Sequence, residues 1–190
     1  MKIVILASGS GTTFEAIARA EITNHLHTQI LALIVDRDCQ AIERAKNLDI
    51  PCLQINYKSA PEAFNARLLA QLTELNPDCV LLCGFLRKVP IEVIEMFKGR
   101  IFNSHPALLP RHGGLYGRKI HEAVIREGDT ETGVTFHHVT ENYDEGPIVT
   151  QKRVTVEKTD TAASIEEKVK HIEKEFLIEQ LNKLSQKTTK

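Results

Sequence analysis

The sequence predicts one α/β domain: a Rossmann-like, mostly parallel twisted sheet with helices on both faces and a long C-terminal helix. Two observations predict it. Short apolar runs alternate with segments of helical period over the first hundred residues, the signature of successive βαβ units. The chain has 190 residues, 42% of them hydrophobic and 26% charged, which suits a single domain with a sizeable core.

Taken in order, Lys2 to Ala7 reads as a buried strand, followed by the loop Ser8-Gly-Ser-Gly-Thr-Thr13 and a helix over 14–20. Residues 30–35 form the second strand, and 36–48 lead through a short helix to a third at 50–55. Pro61 opens the next helix, because its fixed φ suits the first helical position. Phe64, Leu68, Leu69 and Leu72 line one side of that helix, which stops before Asn76-Pro77. Residues 79–83 are a fourth strand, 90–97 a short helix and 100–103 a fifth strand. From Gly133 the pattern changes to two strands, 134–139 and 148–156, joined by a Gly-Pro loop. A helix over 162–184 closes the domain, with Ile165, Val169, Ile172, Phe176 and Leu184 at helical spacing and a polar, frayed tail over 185–190. The domain is expected to occupy 1–184.

Lys and Arg number 24 against 25 Asp and Glu, a net charge of −1, so no broad basic field marks nucleic acid or an anionic membrane as partner. The apolar run from Ile3 to Ala7 is too short for a signal-peptide core or a membrane span, and a cytoplasmic location is expected. Cys39, Cys52, Cys79 and Cys83 show no CxxC spacing and read as reduced, structural thiols. With neither HExxH nor Cys/His zinc spacing, no metal is expected.

Two places carry chemistry. The glycine loop after the first strand turns the chain so that the first N–H groups of the helix can face an anion. It reads either as a phosphate cradle or as a tight turn with a threonine cap on the helix. Phe14 stands where a dinucleotide fingerprint needs its third glycine, although Asp36 at the end of the second strand mimics a ribose-binding acid. The second place is Asn103-Ser-His105-Pro106. Residues i and i+2 of a strand point the same way, so Asn103 and His105 project together beyond its end, where ligands bind in open α/β sheets. An amide beside an imidazole suits donation to an oxygen that becomes negative, as in acyl transfer. If Asp144 folds back to His105, its carboxylate would raise the histidine pKa and could accept a proton. The alternative has His105 capping a turn and Asp144 starting one.

Asn103-x-His105-Pro106-Ala-Leu-Leu-Pro110 together with Asp144-Glu-Gly-Pro147 resembles the signature of the 10-formyltetrahydrofolate-dependent formyltransferases, over roughly residues 2–177. The Gly9-Ser-Gly11 loop, the chain length and the lack of a further domain narrow the resemblance to the branch whose acceptor is the amine of glycinamide ribonucleotide. A formyl-folate hydrolase and an amino-sugar-nucleotide formyltransferase share the same centre. The resemblance implies that Asn103 and His105 stabilise the formyl oxyanion, while Asp144 raises the His105 pKa and helps deprotonate the amine. It implies that Gly11, Thr12 and Thr13 hold the ribotide phosphate, and that Lys170 and Glu173 also contact the ribotide. Read from the residues alone, Glu166 and Lys170 form a solvated i,i+4 pair. The resemblance further places formyl folate against Leu86, Arg87, Lys88, Val89, Asn103 and Thr140. His137 matches a position behind the catalytic centre. The implied partners are the two small molecules alone, with a monomer or weak homodimer as the assembly. The sequence departs from the family pattern at Thr12-Thr13, at the segment 111–117 and at Pro61, where some members carry an arginine near folate; Lys58 is the nearest replacement charge.

Overall fold

Five of the apolar runs become neighbouring parallel strands in the computed structural model, which describes residues 1–188. They are β1 (Lys2–Ala7), β2 (Gln29–Val35), β3 (Cys52–Gln54), β4 (Cys79–Leu82) and β5 (Ile101–His105). Two antiparallel strands, β6 (Glu131–His138) and β7 (Ile148–Thr155), complete a sheet of order β3-β2-β1-β4-β5-β6-β7. Helices cover both faces, which is why the inner strands are apolar along their length. Ile3, Ile5 and Ala7 of β1 pack with residues of α1 (Thr12–Ile22), α2 (Gln40–Asn47) and the C-terminal α6 (Ala162–Thr188). The intervening Val4 and Leu6 face the other side, against α3 (Pro61–Leu75) and α4 (Ile91–Met96). α3 starts at Pro61 and stops before Asn76, as its sequence predicts, and Asn76 takes a left-handed conformation. The four cysteines are free thiols, and burial pushes Cys79 up to about 12.

Several boundaries differ from expectation. The N-cap of α1 is Gly11, at φ 72°, with no side-chain hydrogen bond, so neither threonine caps the helix. β5 runs on to His105, which places Asn103 opposite His137 and His105 opposite Thr135 on β6. An unforeseen helix, α5 (Arg118–Arg126), follows the divergent segment 111–117 and buries Ile120, His121, Ala123 and Val124. α6 continues through Thr188 with Ser185 buried, so the expected frayed tail is helix over its first four residues; residues 189 and 190 lie outside the described residues.

Candidate active site

The strand order reverses about β1: the chain runs outward through β2 and β3, then returns to lay β4 on the other side. The loops leaving β1 and β4 therefore diverge and open a crevice at the carboxyl edge of the sheet. There lies a cleft of about 510 Å³, a size suited to small-molecule ligands. The glycine loop, the loop after β4, the end of β5, the loop before β7 and one side of α6 all line it.

The end of β5 supplies its centre. Asn103 and His105 share one side of the strand, while Ser104 reaches toward α6. Asp144 closes on them from the β6–β7 connection, held in a left-handed turn at φ 57°. The turn can return to the sheet because residue 146 is glycine: a Cβ there would lie 1.8 Å from the carbonyl oxygen of His138. The Asp144 carboxylate accepts from the Gly114 N–H (2.8 Å) and from Asn103 Nδ2 (3.4 Å), and it lies 3.4 Å from His105 Nδ1. His105 Nε2 donates to the carbonyl of His112 at 3.2 Å. Both ring nitrogens thus face acceptors, an arrangement that only imidazolium satisfies on both sides.

Burial opposes that charge. It is the largest influence on His105 and pulls its pKa below the ordinary 6.5, with Asp144 pulling the other way. The expected upward effect of Asp144 is present, but burial exceeds it. Behind the centre, His137 Nδ1 donates to the His138 carbonyl (2.9 Å), which leaves Nε2 to accept from Asn103 Nδ2 (3.1 Å). His137 thereby orients the Asn103 amide toward Asp144.

Gly11, Thr12 and Thr13, at the start of α1, line the cleft, where the first amides of a helix lack partners within it. The Thr13 hydroxyl donates to Glu173 Oε2 (3.0 Å) and Ser104 Oγ donates to Glu173 Oε1 (2.5 Å). Glu173 therefore ties α1 and β5 to α6, and burial raises its pKa above 4.5. Lys170 lies on the same rim, paired with Glu166 as the residues alone suggested. His121 of α5, which sequence reasoning missed, lines the cleft too and is 3% exposed.

Leu86 to Val89 and Thr140 line the cleft as well. The Leu86 N–H donates to Ser8 Oγ (2.9 Å), and Arg87 pairs with Asp36 (2.9 Å) while its guanidinium stacks over Tyr57 (4.1 Å). Asp36, 1% exposed and bound by Arg37 as well, is thus a buried tie for the β4 loop and not a free ribose acceptor. Lys58 is exposed and lies outside the cleft lining. Apart from Lys58, every residue named from the sequence for the centre, the ribotide or the formyl folate lines this one cleft.

The model of the Formyl transferase family matches residues 1–181. The chain belongs to the formyl transferase family. Its relatives include the chloroplastic phosphoribosylglycinamide formyltransferase of Vigna unguiculata, 36% identical over 94% of this chain and 59% of that protein. The phosphoribosylglycinamide formyltransferase of Escherichia coli is 33% identical over 89% of this chain and 80% of that one. A solved phosphoribosylglycinamide formyltransferase from Bacillus halodurans superposes with a TM-score of 0.90 at 36% identity, covering 97% of this chain and 95% of that chain. The chain spans about three fifths of the plant relative's length. For a formyl transferase the chemistry to be explained is acyl transfer, and the geometry of Asn103, His105 and Asp144 can be read against that reaction.

Proposed function

We propose that this cleft transfers the formyl group of 10-formyltetrahydrofolate to the amine of glycinamide ribonucleotide, the phosphoribosylglycinamide formyltransferase reaction of purine synthesis. The observation that carries the reading is the convergence of an amide, an imidazole and a carboxylate in one cleft that the glycine loop and the loop after β4 also line. The start of α1 offers helix amides suited to a phosphate, and the loop after β4 offers backbone suited to a folate ring.

The amine nitrogen of the ribotide attacks the formyl carbon, and the carbonyl π electrons move onto its oxygen. Asn103 Nδ2, exchanging its long 3.4 Å contact with Asp144 for the new acceptor, donates to that oxyanion, and the charge of protonated His105 stabilises it. Asp144 accepts the amine proton, directly or through a water, and its charge favours imidazolium in the meantime. Collapse of the intermediate breaks the bond to the folate N10, which takes up a proton and leaves as tetrahydrofolate. Holding both reactants in one cleft supplies a large share of the rate by positioning. Gly11, Thr12, Thr13, Lys170 and Glu173 serve the ribotide in this reading, while Leu86, Arg87, Lys88, Val89 and Thr140 serve the folate.

The reading includes a cytoplasmic enzyme working on small molecules alone, as a monomer or weak homodimer. In keeping with it, no described helix is long and apolar enough to cross a membrane. The test is release of a deformylated product from a 10-formyl folate analogue, followed by absorbance, with and without glycinamide ribonucleotide. Release that requires the ribotide supports the transferase. Release without any acceptor would make the protein a hydrolase, and release only with an amino sugar nucleotide would change the acceptor.

A further inference from the structure

The segment 111–117 departs from the usual family pattern, yet its backbone grips both ends of the catalytic pair. The carbonyl of His112 accepts from His105 Nε2 at 3.2 Å, and the N–H of Gly114 donates to Asp144 Oδ2 at 2.8 Å. Where this turn sits therefore decides how His105 and Asp144 are held. A turn outside regular structure needs an anchor to keep such a position.

His112 provides one. Its side chain is 4% exposed and lies outside the cleft lining, with Nε2 2.6 Å from Asp129 Oδ2 and Nδ1 3.9 Å from Glu127. Asp129 and Glu127 belong to the connection between α5 and β6. Arg111 reaches the same two carboxylates, but from an exposed position where a pair adds little. The short, buried ring–carboxylate contact is the stronger hold. His112 also sits at φ 59°, a conformation that a non-glycine residue keeps only when its surroundings impose it.

We propose that His112, clamped to Asp129, is a positioning residue that fixes the turn whose backbone orients His105 and Asp144. The proposal rests on the formyl-transfer reading for its kinetic consequence, though not for its structural one. The charged groups that face the His112 ring are Asp129 and Glu127, with Arg111 beside them and His105 reached through the backbone.

The test compares His112→Ala, His112→Gln and Asp129→Asn with the parent in two ways. In steady-state assays, His112→Ala is expected to lower kcat about ten-fold with both KM values held within about two-fold, the pattern of lost transition-state geometry. His112→Gln, whose amide can still donate to Asp129, is expected to recover part of the loss. In the substrate-free protein, nitrogen-15 NMR of the histidine rings is expected to show His105 titrating at lower pH in His112→Ala and Asp129→Asn. The reason is that a displaced turn withdraws the His112 carbonyl that accepts from His105 Nε2, and with it a contact that raises the His105 pKa. A folded His112→Ala with parental kcat and an unmoved His105 titration would overturn the proposal. So would a loss of activity that tracks loss of folded protein while the pH profile of the remaining activity stays in place. If the parent fails to formylate the ribotide, the proposed function fails, and the NMR titration still decides the clamp.

Discussion

His105 is held between two opposed pressures. Its surroundings offer acceptors to both ring nitrogens, which favours imidazolium, while its burial favours the neutral ring and lowers its pKa. In the proposed reaction, an oxyanion forming beside it would tip this balance toward the charged ring at the moment the charge is needed. Removing the ring in His105→Ala is expected to lower kcat by ~10²-fold or more at saturating substrates, the scale of losing one oxyanion donor. A change under about three-fold would remove His105 from its assigned role. Asp144→Asn is more informative, because the amide can still accept from the Gly114 N–H but carries no charge. With the carboxylate's upward pull gone, the His105 pKa falls further. A rate that depends on imidazolium declines as pH rises through that pKa, so the declining limb of kcat against pH should move to lower pH in Asp144→Asn. A reduced rate with an unmoved limb would assign Asp144 to proton acceptance alone.

Among the elements, α1 has the most demanding start. Gly11 at φ 72° lets the chain leave β1 and enter the helix, and a Cβ there would stand 2.6 Å from Ala41 Cβ and 2.8 Å from Ala41 Cα. Gly11→Ala would thus strain the turn and push it off α2, shifting the amides of Thr12 and Thr13. The KM for the ribotide is expected to rise about ten-fold or more, with the KM for the folate nearly unchanged. Equal increases for both substrates in initial-rate measurements would place the ribotide phosphate elsewhere. The same element shows what sequence can and cannot disclose. The glycine loop, the strands and the shared direction of Asn103 and His105 follow from periodicities of the local chain. The partner of Thr13 is Glu173, 160 residues away, and the partner of Arg87 is Asp36, 51 residues away. No local pattern encodes such pairs, so Asp36 resembled a ribose ligand until its neighbours were known. α5 was legible in principle, since Ile120, Ala123 and Val124 recur at helical spacing, but the stripe is short within a polar segment.

For the whole molecule, the packing of the sheet against α5, α6 and the site loops buries several rings that titrate near neutrality. His105, His121 and His137 are each 2–3% exposed, and burial is the first cause that lowers the pKa of all three. His138 moves the same way for the same reason, to a smaller structural effect because it is only half-buried. In the unfolded chain these rings return to about 6.5. Between the lowered values and 6.5 the unfolded state therefore binds more protons than the folded one, and stability falls as pH drops through this window. Each fully differential proton steepens the slope by about 1.4 kcal/mol per pH unit. Glu173 works in the opposite sense, because its raised pKa yields stability that is lost as pH rises through it. Glu21, also raised by burial, works as Glu173 does, so two carboxyls stand against four lowered rings and the histidines set the sign. Thermal melting followed by circular dichroism should give a steady midpoint at pH 8 to 7 and a progressive fall from about 6.5 downward. A midpoint that stays level to pH 5 in the parent would mean that the packed rings accept protons as readily as the unfolded chain does. The acceptors around His105 would then outweigh its burial, and the declining limb of activity would lie above 6.5 instead of below it.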